Sequence, residues 1–94
     1  MRLKLVKLAK QDIGEAVAHL KKTDSHAIDR FATVIKTSLN LILTNPNLGR
    51  PSHMANVREW SVPNWPYLIP YRLNGDDIEV LRIWHTRRDR PEAW

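Results

Sequence analysis

The sequence predicts an α+β fold: an N-terminal strand, then a two-helix hairpin packed on one face of an antiparallel sheet that ends in a three-stranded meander. Three observations carry this reading. Between Val57 and His85, three strand-forming runs are separated by Pro63-Asn64-Trp65-Pro66 and by Asn74-Gly75, and Asn-Gly between apolar runs is among the strongest short-range hairpin signals. Upstream, apolar residues recur at helical spacing in two segments split by Thr23-Asp24-Ser25. Ahead of both, Leu3 and Leu5 alternate with Arg2 and Lys4. The 94 residues contain no internal repeat, so a single domain over 1–94 is expected, with one core and little surplus stability.

The first strand takes in Leu3 and Leu5, with Leu8 as a candidate extension, and its lysines mark it as a sheet edge. From about Ala9 the period lengthens: Ile13, Ala16, Val17 and Leu20 form one stripe of a first helix. Asp24 or Ser25 is expected to cap the second helix through its side chain. That helix carries Ile28, Phe31, Ile35, Leu39 and Ile42, broadened by Ala27, Val34, Leu41 and Leu43. It stops at Asn45-Pro46, because proline disfavours helical geometry in the residue before it. Asn45 to Asn56 has no period and reads as a loop. Thr86 to Trp94 is a charged tail whose shape the sequence does not fix.

In the meander, the strands run Val57 to Val62, Tyr67 to Leu73 and Ile78 to His85. Loops of two or four residues keep one parity of pairing, so side-chain alternation assigns the faces. Tyr67, Ile69, Tyr71 and Leu73 with Ile78, Val80, Arg82 and Trp84 make the larger apolar set and are assigned to the core. Leu68, Pro70 and Arg72 with Glu79, Leu81, Ile83 and His85 fall on a partly open face, where chemistry is to be sought. On this parity Arg82 meets a helix carboxylate, Asp12 or Glu15, and Arg72 is the cross-strand partner of Glu79. Arg58 has no assigned partner.

Fifteen Lys and Arg against ten Asp and Glu give a net charge of +5, and nine of the cations are Arg. Arginine suits bidentate contact with carboxylate or phosphate, so the partner should be acidic protein, nucleic acid or both. There is no Cys, which excludes a disulfide framework and thiolate chemistry. No stretch reads as a signal peptide or a membrane span, so the expected location is the cytoplasm, without a membrane partner. His19, His26, His53 and His85 lack metal-ligand spacing, and three glycines are too few for a phosphate-cradling loop. No metal or cofactor is expected.

His85 is the histidine with functional potential: it ends a strand and is followed by Arg87, Arg88 and Arg90. An imidazole beside cations can serve as acid or base on a phosphodiester. The plainer reading, preferred on the residues alone, has His85 satisfying a backbone carbonyl. Trp60, Trp65, Trp84 and Trp94 could stack on bases, but packing is the commoner use of such aromatics, and Trp84 should be buried. Trp94 is either a loose end or a partner anchor.

In order and spacing, Gly49-Arg50-Pro51, Arg58-Glu59-Trp60-x-Val62, Tyr67-Leu68-Ile69-Pro70-Tyr71-Arg72, Ile78-Glu79-Val80-Leu81-Arg82-Ile83 and His85-x-Arg87-Arg88 resemble the RelE/ParE toxins of type II toxin–antitoxin systems. The resemblance covers nearly the whole chain. It implies a toxin neutralised by a cognate antitoxin, here expected to be acidic and to form a hetero-oligomer with it. It also implies one of two targets: DNA gyrase for ParE-like members, or messenger RNA on the ribosome for RelE-like ones. RNA-cutting relatives commonly have Arg where this chain has Leu68, and lysines on the strand that here reads Arg58-Glu59-Trp60-Ser61. The Tyr67–Arg72 and Ile78–Ile83 runs are similar to the ParE branch, which is therefore favoured. On the nuclease alternative, His85, Arg58 and Arg87 would be catalytic. On either, Arg72, Arg87, Arg88, Arg90 and Trp94 are candidates for contacting antitoxin or target.

Overall fold

A computed structural model describes residues 1–94. The elements are β1 (Arg2–Leu5), α1 (Lys7–Thr23), α2 (Ala27–Thr44), β2 (Arg50–Pro51), β3 (Val57–Ser61), β4 (Tyr67–Asn74), β5 (Asp77–Val80) and β6 (Trp84–His85). The sheet runs β1-β5-β4-β3-β2, with β6 also paired to β4. It is antiparallel except at the edge, where β1 lies parallel to β5 with Leu3 opposite Ile78 and Leu5 opposite Val80. Lys4 and Arg2 reach Asp77 at 3.0 and 3.5 Å. The Lys4 hydrogen bond, with Arg2 behind it, holds the Asp77 carboxyl below its usual range.

The chain turns helical at Lys7, so Leu8 belongs to α1 and not to the strand, and its side chain is exposed. The break between the helices is as short as expected, but its cap differs. His26 occupies the N-cap with no side-chain hydrogen bond. The amides of Ala27 and Ile28 instead use the backbone carbonyls of Asp24 and Ser25, while the Asp24 carboxylate turns outward to Arg30 at 3.7 Å. Tight turn geometry has thus replaced side-chain capping.

One core joins the hairpin to the sheet. Phe31, Ile35 and Ile42 of α2 and Ala9 and Ala16 of α1 pack on Ile69, Tyr71, Ile78 and Val80. Ser38 sits inside the α2 stripe because the Trp60 indole donates to its hydroxyl at 3.1 Å. Burying these side chains supplies the main stabilisation, at about 25 cal/mol per Å² of apolar surface removed from water. Phe31 also lies against Trp65 and Tyr67, with ring centroids 5.7 and 5.2 Å away.

The β4–β5 connection is the two-residue loop Gly75-Asp76, closed by Asn74 opposite Asp77. Gly75 has φ 62°, a value glycine adopts without steric cost. Parity holds through this turn: Leu73 faces Ile78 and Tyr71 faces Val80. Leu73 nevertheless extends past the helices and is 50% exposed.

Parity then fails. The expected strand Ile78 to His85 breaks after Val80, and Leu81, Arg82 and Ile83 stand opposite only Ile69 and Pro70 before pairing resumes with Trp84 opposite Leu68 and His85 opposite Tyr67. One extra residue on one side is a β-bulge, which shifts every later side chain to the other face. Ile83 therefore joins the helix-side core, and His85 comes onto the helix side with Tyr67. Trp84 is buried as expected, at 5% exposure, but on the far face, beside Leu68.

That far face is not open along its centre. Val57, Glu59, Leu68, Pro70, Leu81 and Trp84 are all buried. Two unforeseen features cover them. The stretch read as a loop contains β2, with Arg50 opposite Glu59 and Pro51 opposite Arg58, and the tail folds back so that Trp94 stacks edge-on against Trp84 at 5.3 Å.

Candidate functional site

Three groupings of polar side chains stand out, and β4 separates the first two. At one end of β4, His85 lines a cavity of about 470 Å³ with Asp12, Glu15 and His19 of α1 and with Tyr67 and Arg88. Its Nδ1 accepts the Arg87 amide at 3.1 Å, so the neutral ring carries its proton on Nε2. The ring accepts from an amide where a bond to a carbonyl was expected. Burial, then the charges of Arg87, His19 and Arg88, lowers the His85 pKa, so the imidazole is neutral at pH 7. Tyr67 meets it edge-on at 5.2 Å, and burial raises the phenol's pKa, so its proton stays on. Asp12 is already engaged by Arg82 and the Ile83 amide.

At the other end of β4, Arg58 pairs in register with Tyr71. Four residues along a strand separate Tyr71 from Tyr67, roughly 13 Å at strand rise. Arg58 donates from Nη1 to the Gly49 carbonyl at 2.8 Å. The Tyr71 hydroxyl accepts the Gly49 amide at 2.8 Å and donates to the Pro46 carbonyl at 2.7 Å. Gly49 must be glycine here, because a Cβ would stand 2.8 Å from the Glu59 carbonyl oxygen and 2.9 Å from the Tyr71 ring. This clamp holds the β2 loop over the sheet end and opens a second cavity of about 580 Å³.

The third grouping lies on the far face. Glu59 is 2% exposed and collects Arg90, the Trp94 indole at 3.0 Å, Arg50 at 3.8 Å and His53 at 3.9 Å. The Trp94 amide meets the Met54 sulfur, and His53 contacts the Glu92 carbonyl at 2.9 Å. Sequence reasoning passed over Glu59 as a docking point for the tail. Its signal was an acidic residue alternating with Arg58 and Trp60 on a strand otherwise destined for burial.

The predicted site residues therefore divide. His85 and Arg87 are neighbours, whereas Arg58 lines a different cavity. Arg72 is bonded to Glu79 at 2.9 Å, the cross-strand pair expected. Arg82 grips Asp12, one of the two α1 carboxylates expected for it. Arg90 and Trp94 are held by the chain's own Glu59, so Trp94 is docked. Arg88 lies over the Trp84 ring at 4.1 Å, and neither it nor Arg87 has an acidic partner. Trp60, Trp65 and Trp84 all serve packing. No three His, Asp or Glu side chains converge as metal ligands, and no helix is long and apolar enough to cross a membrane.

Comparison with known proteins places this geometry. The family described as ParE toxin of type II toxin–antitoxin system, parDE, matches residues 3–90. The Y4kP protein of Sinorhizobium fredii is 30% identical over 92 residues, covering 98% of this chain and 95% of the relative. Toxin RelE1 of Caulobacter vibrioides is 33% identical over 84 residues, covering 87% and 89%. A solved chain from the chromosomal ParDE system of P. aeruginosa superposes with a TM-score of 0.82 at 26% identity, over 92% of this chain and 96% of the other.

Proposed function

We propose, from the premise that the chain belongs to the ParE toxin family of type II toxin–antitoxin systems, that this toxin stops growth by poisoning DNA gyrase in the cytoplasm. Membership makes it a toxin with an antitoxin partner. The choice of target rests on one observation: of the three residues a ribonuclease would use here, His85 and Arg87 stand at one end of β4 and Arg58 at the other.

Cleaving a phosphodiester calls for a base, an acid and cations around the same phosphate. The His85 notch offers a neutral imidazole and a phenol that keeps its proton. Arg58 faces the other cavity and is tied to Gly49. Leu68, where RNA-cutting relatives commonly have Arg, is buried opposite Trp84. Arg87 and Arg88, by contrast, are exposed and lack acidic partners, which suits a surface that holds a macromolecule.

Purified toxin should block supercoiling of relaxed plasmid by gyrase while leaving message ends unchanged after induction. Full supercoiling at excess toxin would overturn the proposal. The notch keeps a second reading in play, ribosome-dependent cleavage of mRNA with His85 as base. On that reading His85→Ala lowers cleavage by about a hundredfold or more, and new message ends appear within codons.

A further inference from the structure

Four arginines follow β5 in the chain, and they are not equivalent. Arg82 is held by Asp12 and Arg90 by Glu59. Arg87 is fixed only through its backbone, whose amide donates to His85 Nδ1 at 3.1 Å, and its guanidinium meets neither an acid nor a ring. Arg88 alone is both oriented and free to bond. Its amide donates to the His85 carbonyl at 3.0 Å, its carbonyl accepts the Trp84 indole N–H at 3.2 Å, and its guanidinium lies 4.1 Å from the centre of the Trp84 ring. That ring is 5% exposed and is braced edge-on by Trp94 at 5.3 Å, so it serves as a fixed platform.

A guanidinium is attracted to the face of an indole ring, and while it rests there its donor edge stays available to a carboxylate. A side chain already ordered in this way loses less freedom on contact than a loose one, which favours Arg88 over Arg87 as an anchor. Glu15 lines the same cavity as Arg88, and Asp89 follows it in the chain. Those like charges oppose the many phosphates of a nucleic acid more than they oppose a single carboxylate. We propose that Arg88 grips a carboxylate on the surface of gyrase and that Trp84, buried out of the target's reach, is its positioning residue. The assignment rests on the gyrase reading, and the test separates the two.

The test titrates the labelled full chain with gyrase in the absence of DNA. Arg88→Gln should weaken binding about tenfold or more, as loss of a hydrogen bond between charged groups predicts, and Arg87→Gln should weaken it by a smaller factor. Trp84→Phe removes the indole N–H and leaves a poorer partner for the cation, so it should weaken binding about threefold. Added to Arg88→Gln it should weaken binding no further, because the two residues act as one unit. An equal loss in both backgrounds would mean that Trp84 merely supports the fold, and would overturn its positioning role. Parent-strength binding by Arg88→Gln, a loss with Arg87→Gln as large as with Arg88→Gln, or weakened binding to plasmid alone would overturn the carboxylate contact. NMR of the free toxin needs no variant: the Trp84 ring should shift the Arg88 side-chain protons upfield and leave those of Arg87 at ordinary positions, and ordinary positions for both would overturn the positioning. A parent that fails to bind gyrase overturns the gyrase reading and this assignment with it, whereas a parent that binds beside unaffected variants overturns the assignment alone.

Discussion

Arg82 holds Asp12 with two hydrogen bonds of 2.8 Å across 70 residues of sequence, and the same carboxylate accepts the Ile83 amide at 3.0 Å. The pair fastens the bulge of the sheet to α1, and the Asp12 bond raises the Arg82 pKa. Both side chains are largely buried, at 15% and 5% exposure. Removing one partner of such a pair leaves an uncompensated charge, at a cost of about 3 kcal/mol. Asp12→Ala should therefore lower the thermal midpoint by more than 10 °C, roughly, for a domain of this size. A melt unchanged from the parent would show that the bulge is held by packing alone.

The bulge also shows how much the sequence disclosed. An edge strand at the N-terminus, the helical hairpin, the Asn74-Gly75 turn, the Arg72–Glu79 pair and the pairing of Arg82 with an α1 carboxylate were all legible, because each follows from periodicity or turn chemistry. The slip after Val80 was not, since no glycine or proline marks it. In hindsight Val80-Leu81 and Ile83-Trp84 are adjacent apolar pairs that break strict alternation, and that is the trace a bulge leaves. The tail and β2 were illegible for a different reason. Two residues are too few to show a period, and a tail held by Glu59 depends on a contact 31 residues away.

The Tyr71 clamp sets the second prediction. Tyr71→Phe removes a hydroxyl that satisfies the Gly49 amide and the Pro46 carbonyl, and should cost about 1–3 kcal/mol by leaving buried groups unpaired. Gly49→Ala should destabilise by a similar amount, about 1–3 kcal/mol, because its Cβ meets backbone that cannot move aside. Urea midpoints test both, and an unchanged midpoint in either variant contradicts the clamp.

A third prediction concerns the tail. Glu59→Ala leaves Arg90 and the Trp94 indole without their acceptor. The tail makes few backbone hydrogen bonds of its own, so it should detach while the core stays folded. Trypsin should then cut after Arg87 or Arg88 faster than in the parent, and tryptophan emission should shift to the red. Parental cutting rates would mean that the Trp84–Trp94 contact suffices.

His85 supplies a pH prediction. Its pKa is lowered from the ordinary 6.5, chiefly by burial and secondarily by Arg87. The unfolded chain thus takes up the proton first as pH falls, so this residue's contribution to stability is present above 6.5 and is lost as pH drops below that value through the folded pKa. An NMR titration should place His85 below 6.5, and Arg87→Gln should raise it only partway, because burial remains. A midpoint at or above 6.5 would contradict the burial of the ring.

The activity proposed for this toxin is capture of gyrase without processing of RNA. Its most direct measurement is the recovery of linear plasmid after gyrase, ATP and purified toxin are incubated together and the protein is stripped away with detergent and protease. Linear DNA should accumulate with toxin dose, and equally with His85→Ala. Plasmid that remains fully supercoiled at excess toxin, with transcripts newly cut within codons in cells expressing the parent but not His85→Ala, would contradict it.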